Sequence, residues 1–305
     1  MSILGNPITL GGGGNKVPDY TYTGNAEWYN EEKTILKLKT SGVLTLSKTC
    51  TADVFCVGGG GAGANGQALS VSNGGGGGGG GYTTTNRKVF SKGVEYSAII
   101  GDGGTVYSGS NAYQHKNGDG GVTSINGVIA SGGQAAPIAS NTGQQGGNGG
   151  SGGGAGGWSR DEYQASFGGN GGSNGSSGIS NRGGKTAGSG QGSTTKAFGE
   201  DSGICYGAGG GGGGYDKNAT HSGAIWLQNG PGFGGEDGGG NGGAGIFNPN
   251  NAKLSTSGEA NTGAGGGGGG NTYNNNYGDP SEVSGVGKVG LGATGGSGVI
   301  LIRFA

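Results

Sequence analysis

Apolar residues in this chain gather into short blocks at its two ends. Leu36-Lys-Leu-Lys-Thr40 alternates apolar and polar, the pattern of a strand with one face in water. Ser41-Gly42 is a turn signal, and Val43-Leu-Thr-Leu-Ser47 follows as a second short strand. Ala52-Asp-Val-Phe-Cys-Val57 is apolar on both faces, which predicts a central strand, and it runs straight into Gly58–Gly61. Tyr20 to Gly24, Lys88-Val-Phe90 and Glu95 to Ile100 read as further strands. Gly121 to Ile125 and Val128 to Ala130 flank Asn126-Gly127, the dipeptide that favours a two-residue hairpin turn. Between about 131 and 297 strand signals nearly vanish, and Gly298-Val-Ile-Leu-Ile-Arg-Phe304 then closes the chain as its most hydrophobic block. This order predicts a small β-sandwich whose last strand returns after a long glycine-rich excursion.

Glycine changes the picture. It supplies 89 of 305 residues, with 29% hydrophobic and 11% charged. Gly74 to Gly81 is an uninterrupted octamer closed by Tyr82, and Gly-Ala followed by six glycines occurs at 207–214 and at 263–270. Such a run has no side chain to bury and costs more backbone entropy to order than any other sequence. An ordered solution is the extended left-handed helix with three residues per turn, whose N–H and C=O groups point sideways to neighbours. At about 3.1 Å per residue, eight glycines then span roughly 25 Å. Six prolines and no Gly-X-Y register exclude collagen. The glycine runs are therefore expected to be rods of one bundle, with Gly58, Gly61, Gly74, Gly77, Gly81, Gly209, Gly214, Gly265 and Gly270 as structural positions.

Charge and chemistry narrow the function. The net charge is −1 with no basic run, so nothing points to nucleic acid or an anionic membrane surface. The N-terminal stretch lacks the apolar core of a secretory signal, and no apolar run approaches a transmembrane length. Cys50, Cys56 and Cys205 leave at least one thiol unpaired; a Cys50–Cys56 bridge needs the backbone to bring the two together, and buried thiols are the plainer expectation. Gly183-Gly-Lys-Thr186 has Ile179 where a phosphate loop needs its first glycine. The glycine tracts lack the regular aspartate of calcium-binding β-rolls. His115 and His221 stand far apart, and the acidic pairs at 161–162, 200–201 and 236–237 read as solvated turns. No enzyme, cofactor or metal site is expected.

The rods are separated by aromatic and polar segments. Tyr107, Tyr113, Trp158, Tyr163, Phe167, Tyr215, Trp226, Phe233, Tyr273 and Tyr277 either cap the bundle or contact a ligand from loops on a rigid scaffold. The domain boundaries expected are an N-terminal arm or attachment segment at 1–19, a sandwich with the first rods at 20–130, the bundle at 131–297 and the closing strand at 298–305.

Several blocks occur here in a familiar order: Leu36 to Leu46, Asp53 to Gly61, the octaglycine with Tyr82-Thr83, Tyr96 to Gly104, Gly190 to Gly199, and Gly295 to Arg303. Over roughly residues 20–305 the chain resembles the glycine-rich domain family of bacteriophage and prophage virion proteins, found in tail fibres and appendages. The resemblance implies an all-β fold plus polyglycine II, with a small β-sandwich of jelly-roll or TNF-like kind joined to a bundle of packed polyglycine II helices. It also implies a virion location after assembly in the host cytoplasm, and partners among other virion proteins reached through the N-terminal segment. A host-surface glycan or protein is the expected ligand, and a homo-oligomer is compatible with this. A purely structural virion part, or a bacterial surface protein on the same rods, is the alternative expectation.

Overall fold

The computed structural model describes residues 17–66, 75–108, 114–138, 145–157, 168–180, 186–214, 231–243, 254–270, 282–283, 287–288 and 290–304. Twelve strands follow in chain order: β1 (Tyr20–Tyr22), β2 (Ala26–Trp28), β3 (Ile35–Leu38), β4 (Gly42–Leu46), β5 (Cys50–Val57), β6 (Thr83–Phe90), β7 (Glu95–Ile99), β8 (Thr123–Ile125), β9 (Val128–Ala130), β10 (Glu282–Val283), β11 (Gly287–Lys288) and β12 (Val299–Phe304). Ten of them form two antiparallel five-stranded sheets, ordered β1-β4-β7-β8-β9 and β2-β3-β12-β5-β6, and β10 pairs with β11 in a separate ribbon. No α-helix occurs among the described residues. The β10–β11 ribbon, β2 and the Thr83–Arg87 half of β6 are strands that hydrophobic patterning did not single out.

The two sheets face each other across one apolar core. Leu36, Leu38, Leu44, Val54, Phe90, Ile125, Ile300 and Ile302 are all buried there. The central position expected for 52–57 is what the structure shows, since β5 lies between β12 and β6, and the closing strand β12 is likewise interior, between β3 and β5. Both strands are apolar on both faces because the second sheet is covered twice. Its outer face, with Phe55, Val57, Val299 and Leu301, is buried under Tyr206 and a short 3-10 turn at Ala197–Gly199. Arg303 fastens that cover, pairing with Asp53 at 3.1 Å and with Glu200 while lying over the Phe198 ring. Asn126 and Gly127 take φ of 47° and 72°, the positive pair that the expected hairpin turn requires.

Cys50, Cys56 and Cys205 are free thiols. Cys50 and Cys56 sit six residues apart on the one strand β5, a separation of roughly 20 Å that no disulfide spans.

At the ends of the strands the pairing changes its period. β5 and β6 pair residue by residue from Cys50↔Phe90 to Val57↔Thr83. Beyond them the same two chain segments stay bonded at every third residue: Gly58 N–H to Tyr82 O, Gly61 to Gly79 and Ala64 to Gly76. Segment 75–82 continues this repeat in every lateral direction. It donates to 263–269 from Gly75, Gly78 and Gly81, to 151–154 from Gly77 and Gly80, and to 131–134 from Gly79 and Tyr82. It accepts from 58–64, from 147–150 and from 210–213 at the same spacing. Three neighbours receive its N–H groups and three others bond its carbonyls, so the backbone is satisfied without any side chain.

Segments 58–66, 151–157, 207–214 and 263–270 are surrounded in the same way. These interior segments are almost wholly glycine, and alanines such as Ala62, Ala155, Ala208 and Ala264 are fully buried in them. The remaining glycine-rich segments form a ring around them, and there side chains return at every third position. In 145–150 only Gln145 and Asn148 are exposed, in 101–106 only Asp102 and Thr105, and in 131–137 only Ser131, Gln134 and Pro137. Three residues per repeat place one side chain in three outward and leave two positions facing neighbours.

A side chain on an interior glycine has nowhere to go. A Cβ at Gly77 would overlap the Gly210 carbonyl oxygen, and one at Gly78 the Gly61 carbonyl oxygen. Gly77→Val is expected to lose more than about 3 kcal/mol, because it displaces several lateral hydrogen bonds contributing about 0.5–1.5 kcal/mol each. Gln145→Val, at an exposed ring position, is expected to change thermal stability little. Equal melting temperatures for the two variants would overturn the packed arrangement.

Burial also pushes the Cys56 thiol up from its ordinary 9.0 to about 12. The thiol is neutral when protonated, so the unfolded chain ionises first. Stability from this group is intact below pH 9 and is lost as pH rises from 9 toward 12, up to about 4 kcal/mol. Denaturant titrations across that window should show Cys56→Ala losing less stability than the parent chain.

Candidate functional site

Where the glycine segments begin and end defines two faces. The chain leaves the sandwich at Gly58, Gly101 and Ser131, after β5, β7 and β9, and returns at Tyr82, Val122 and Gly298 into β6, β8 and β12. Gly58 N–H to Tyr82 O, Gly121 to Asp102 and Gly298 to Gly101 hold these ends at one level. The turns at 174–175, 236–238 and 260–263 lie at that same end. At the far end another set of bonds ties the opposite termini together: Gly66 N–H to Gly290 O, Gly75 to Gly269, Gly213 to Gly75, Gly157 to Gly213 and Gly214 to Gly243.

Every connection that carries a sequence-predicted aromatic other than Phe233 therefore starts and finishes at the far end. Trp158, Tyr163 and Phe167 follow Gly157, Tyr215 and Trp226 follow Gly214, and Tyr273 and Tyr277 follow Gly270. The segments 151–157, 207–214 and 263–270 that lead into them are interior ones, so the chain enters these connections at the centre of the face. Those seven aromatics, together with Tyr113 and Gly74, lie outside the described residues. Gly58, Gly61, Gly77, Gly81, Gly209, Gly214, Gly265 and Gly270 are all buried in the interior segments.

Tyr107 and Phe233 are described, and both stand exposed, Tyr107 near the far end. Tyr107 stacks on His115 with ring centroids 4.0 Å apart. Its backbone is gripped by two buried asparagines that motif reasoning passed over. Asn117 Oδ1 accepts the Tyr107 N–H at 2.8 Å, and Asn65 Nδ2 donates to the Tyr107 carbonyl at 3.0 Å. Asn117 also donates to Gly63 O at 2.6 Å, and Asn65 accepts from Gly292 N–H at 2.8 Å. Phe233 is 69% exposed, on a backbone held by Asn170 Oδ1 at 2.9 Å. Ile138, Ile179 and Leu254 are exposed close to the same rim. Tyr107 lies in a far-end connection, whereas Phe233 points outward from ring segment 231–235 on the flank.

Around the flank, ring segments are clasped by side-chain oxygens. Asp119 accepts from Ala135 N–H, Asn148 from Ser189, Asn170 from Phe233, Asn241 from Gly234 and Thr256 from Asn241. Each replaces a lattice neighbour that a ring segment lacks, much as edge strands of a sheet are blunted. The sequence signal that could have found them is the spacing of side chains, as in Leu291, Thr294 and Ser297. Among the described residues the far face offers the Tyr107 and His115 rings, with the Tyr107 backbone fixed by Asn65 and Asn117. Among the described residues no group of three or more His, Cys, Asp or Glu stands close enough to hold a metal, and no helix is long and apolar enough to cross a membrane.

An all-β chain with laterally bonded glycine segments and one face of clustered connections is thus defined by its geometry. The model of the glycine-rich domain family matches residues 39–305, and the chain belongs to that family. No curated protein matches it.

Asn117→Asp should separate positioning from bulk stability. An aspartate keeps the oxygen that accepts from Tyr107 and loses the buried donor to Gly63, a loss of about 1–3 kcal/mol. Asn241→Asp, which keeps the oxygen that accepts from Gly234 N–H, should be near neutral. Comparable melting curves for both would refute the asparagine grip.

Proposed function

We propose that this chain is a phage or prophage virion appendage protein that binds the host cell surface through the far face of a polyglycine II bundle. The observation that carries this is the shared level of the chain ends flanking the aromatic connections, opposite the sandwich. Nine of the ten sequence-predicted aromatics divide among four connections, and a rigid base of this kind lowers the entropy that such segments lose on binding. The polyglycine II assignment is supported by the three-residue repeat, the donation to three neighbours and the acceptance from three more. A sandwich of jelly-roll or TNF-like kind belongs to the same reading, supported by two five-stranded antiparallel sheets around one core. The resemblance of the ordered blocks to virion glycine-rich proteins supplies the biological setting.

The ligand class in this proposal is a surface glycan or outer protein, met by aromatic rings and neutral amides. Replacing Trp158, Tyr163, Trp226 and Phe233 together by alanine is expected to abolish binding of the purified protein to host cells. It should also abolish its competition with phage adsorption, while circular dichroism stays unchanged. Adsorption that is insensitive to all four replacements would favour a purely structural virion part, for which the clasped flank and interior glycine packing suit a stiff spacer.

A further inference from the structure

The chain contains nine Asn–Gly dipeptides, the pairing most prone to spontaneous loss of the asparagine amide, because glycine leaves its own nitrogen unhindered. In that reaction the glycine nitrogen gives its proton to water or hydroxide and bonds to the asparagine Cγ. The Cγ–Nδ2 bond breaks, ammonia leaves, and a water molecule then opens the cyclic imide to aspartate or isoaspartate. Two things block it: a glycine N–H already donated elsewhere, and an asparagine side chain that cannot swing toward it.

Six of the described pairs are blocked on both counts. Gly66, Gly118, Gly149, Gly171 and Gly242 each donate their N–H to a neighbouring carbonyl, and Gly175 donates to Ser151 Oγ at 3.0 Å. The side-chain oxygens of Asn65, Asn117, Asn148, Asn170, Asn174 and Asn241 each accept a backbone N–H from another segment.

Asn126-Gly127 is different. It sits at the β8–β9 hairpin tip, held by one bond from Asn126 Nδ2 to Val89 O at 3.0 Å. No hydrogen bond holds the Gly127 N–H among the described residues. Asn174-Gly175 has nearly the same backbone, with φ of 48° and 82° against 47° and 72°, so the pair isolates the effect of the clasps.

We propose that Asn126 is a self-modification site of the folded protein, converting to aspartate and isoaspartate while the clasped pairs persist. Conversion removes the donor that ties the hairpin to β6 and inserts a carboxylate facing the Val89 carbonyl. Lys88, whose Nζ lies 3.6 Å from a Cβ built on Gly127, stands beside the new charge.

The test is incubation of the folded chain in mild alkali, followed by peptide mass spectrometry and enzymatic methylation of isoaspartate. Conversion at Asn126 is expected to run at least about tenfold faster than at Asn174, whose clasp must break first. In urea the two should convert at similar rates. Equal rates in the folded state, or an intact Asn126 after the urea-treated chain has converted, would overturn the proposal. Asn73 and Asn229 lie outside the described residues and take no part in the comparison.

Discussion

The interior glycine segments are held to one another by backbone hydrogen bonding, and that single constraint explains their composition. A buried peptide group without a partner costs about as much as a lost hydrogen bond. In a sheet the side chains share the task, because they pack the faces that the ladder leaves bare. In segment 75–82 the carbonyls and N–H groups point in all lateral directions, so every direction must hold another backbone. Any Cβ facing a neighbour would occupy the space of a carbonyl oxygen, as at Gly77, Gly79 and Gly80. Glycine is the structural material here in the way that leucine is in a core. Its high ordering entropy is offset by collective bonding, which makes the arrangement cooperative.

The sandwich solves the problem of register. Six glycine segments are direct continuations of strands, three leaving and three returning, and the ladders fix where each begins. The change from residue-by-residue pairing to every-third-residue pairing happens at Val57 and Thr83 with no break in the chain. The apolar core thus sets the starting level for segments that have no side chains to recognise one another. The cover over Phe55 and Leu301, fastened by Arg303, extends this anchoring to the segments entering at 207.

The sandwich was legible because its strands obey simple alternation. Leu36 and Leu38, Val54 and Cys56, and Ile300 and Ile302 face one core at period two, while Phe55 and Leu301 face the second cluster. Thr83 to Arg87 escaped because an edge strand with polar side chains carries no apolar signal. The interior segments were legible as ordered and buried from their unbroken glycine. The ring was not. Asparagine next to glycine ordinarily reads as a turn, and among the described pairs only Asn126 and Asn174 occupy one with positive φ; Asn148, Asn170 and Asn241 reach instead to a neighbouring segment. Their partners are distant in sequence, so no local pattern announces them. Of the ten aromatics singled out for binding, Tyr107 and Phe233 are placed, and their support by Asn117 and Asn170 is visible only in three dimensions.

The bonds that level the far ends have one more consequence. Each connection on that face starts and stops on backbone whose position is set by lateral neighbours, not by the connection itself. Lengthening or rewriting such a connection changes a closure entropy that grows only slowly with length, and leaves the register of the column untouched. Holding the shape and setting the sequence of these connections are therefore separable in this chain. Variation can accumulate on one face at little structural cost, as tools are exchanged in a fixed holder.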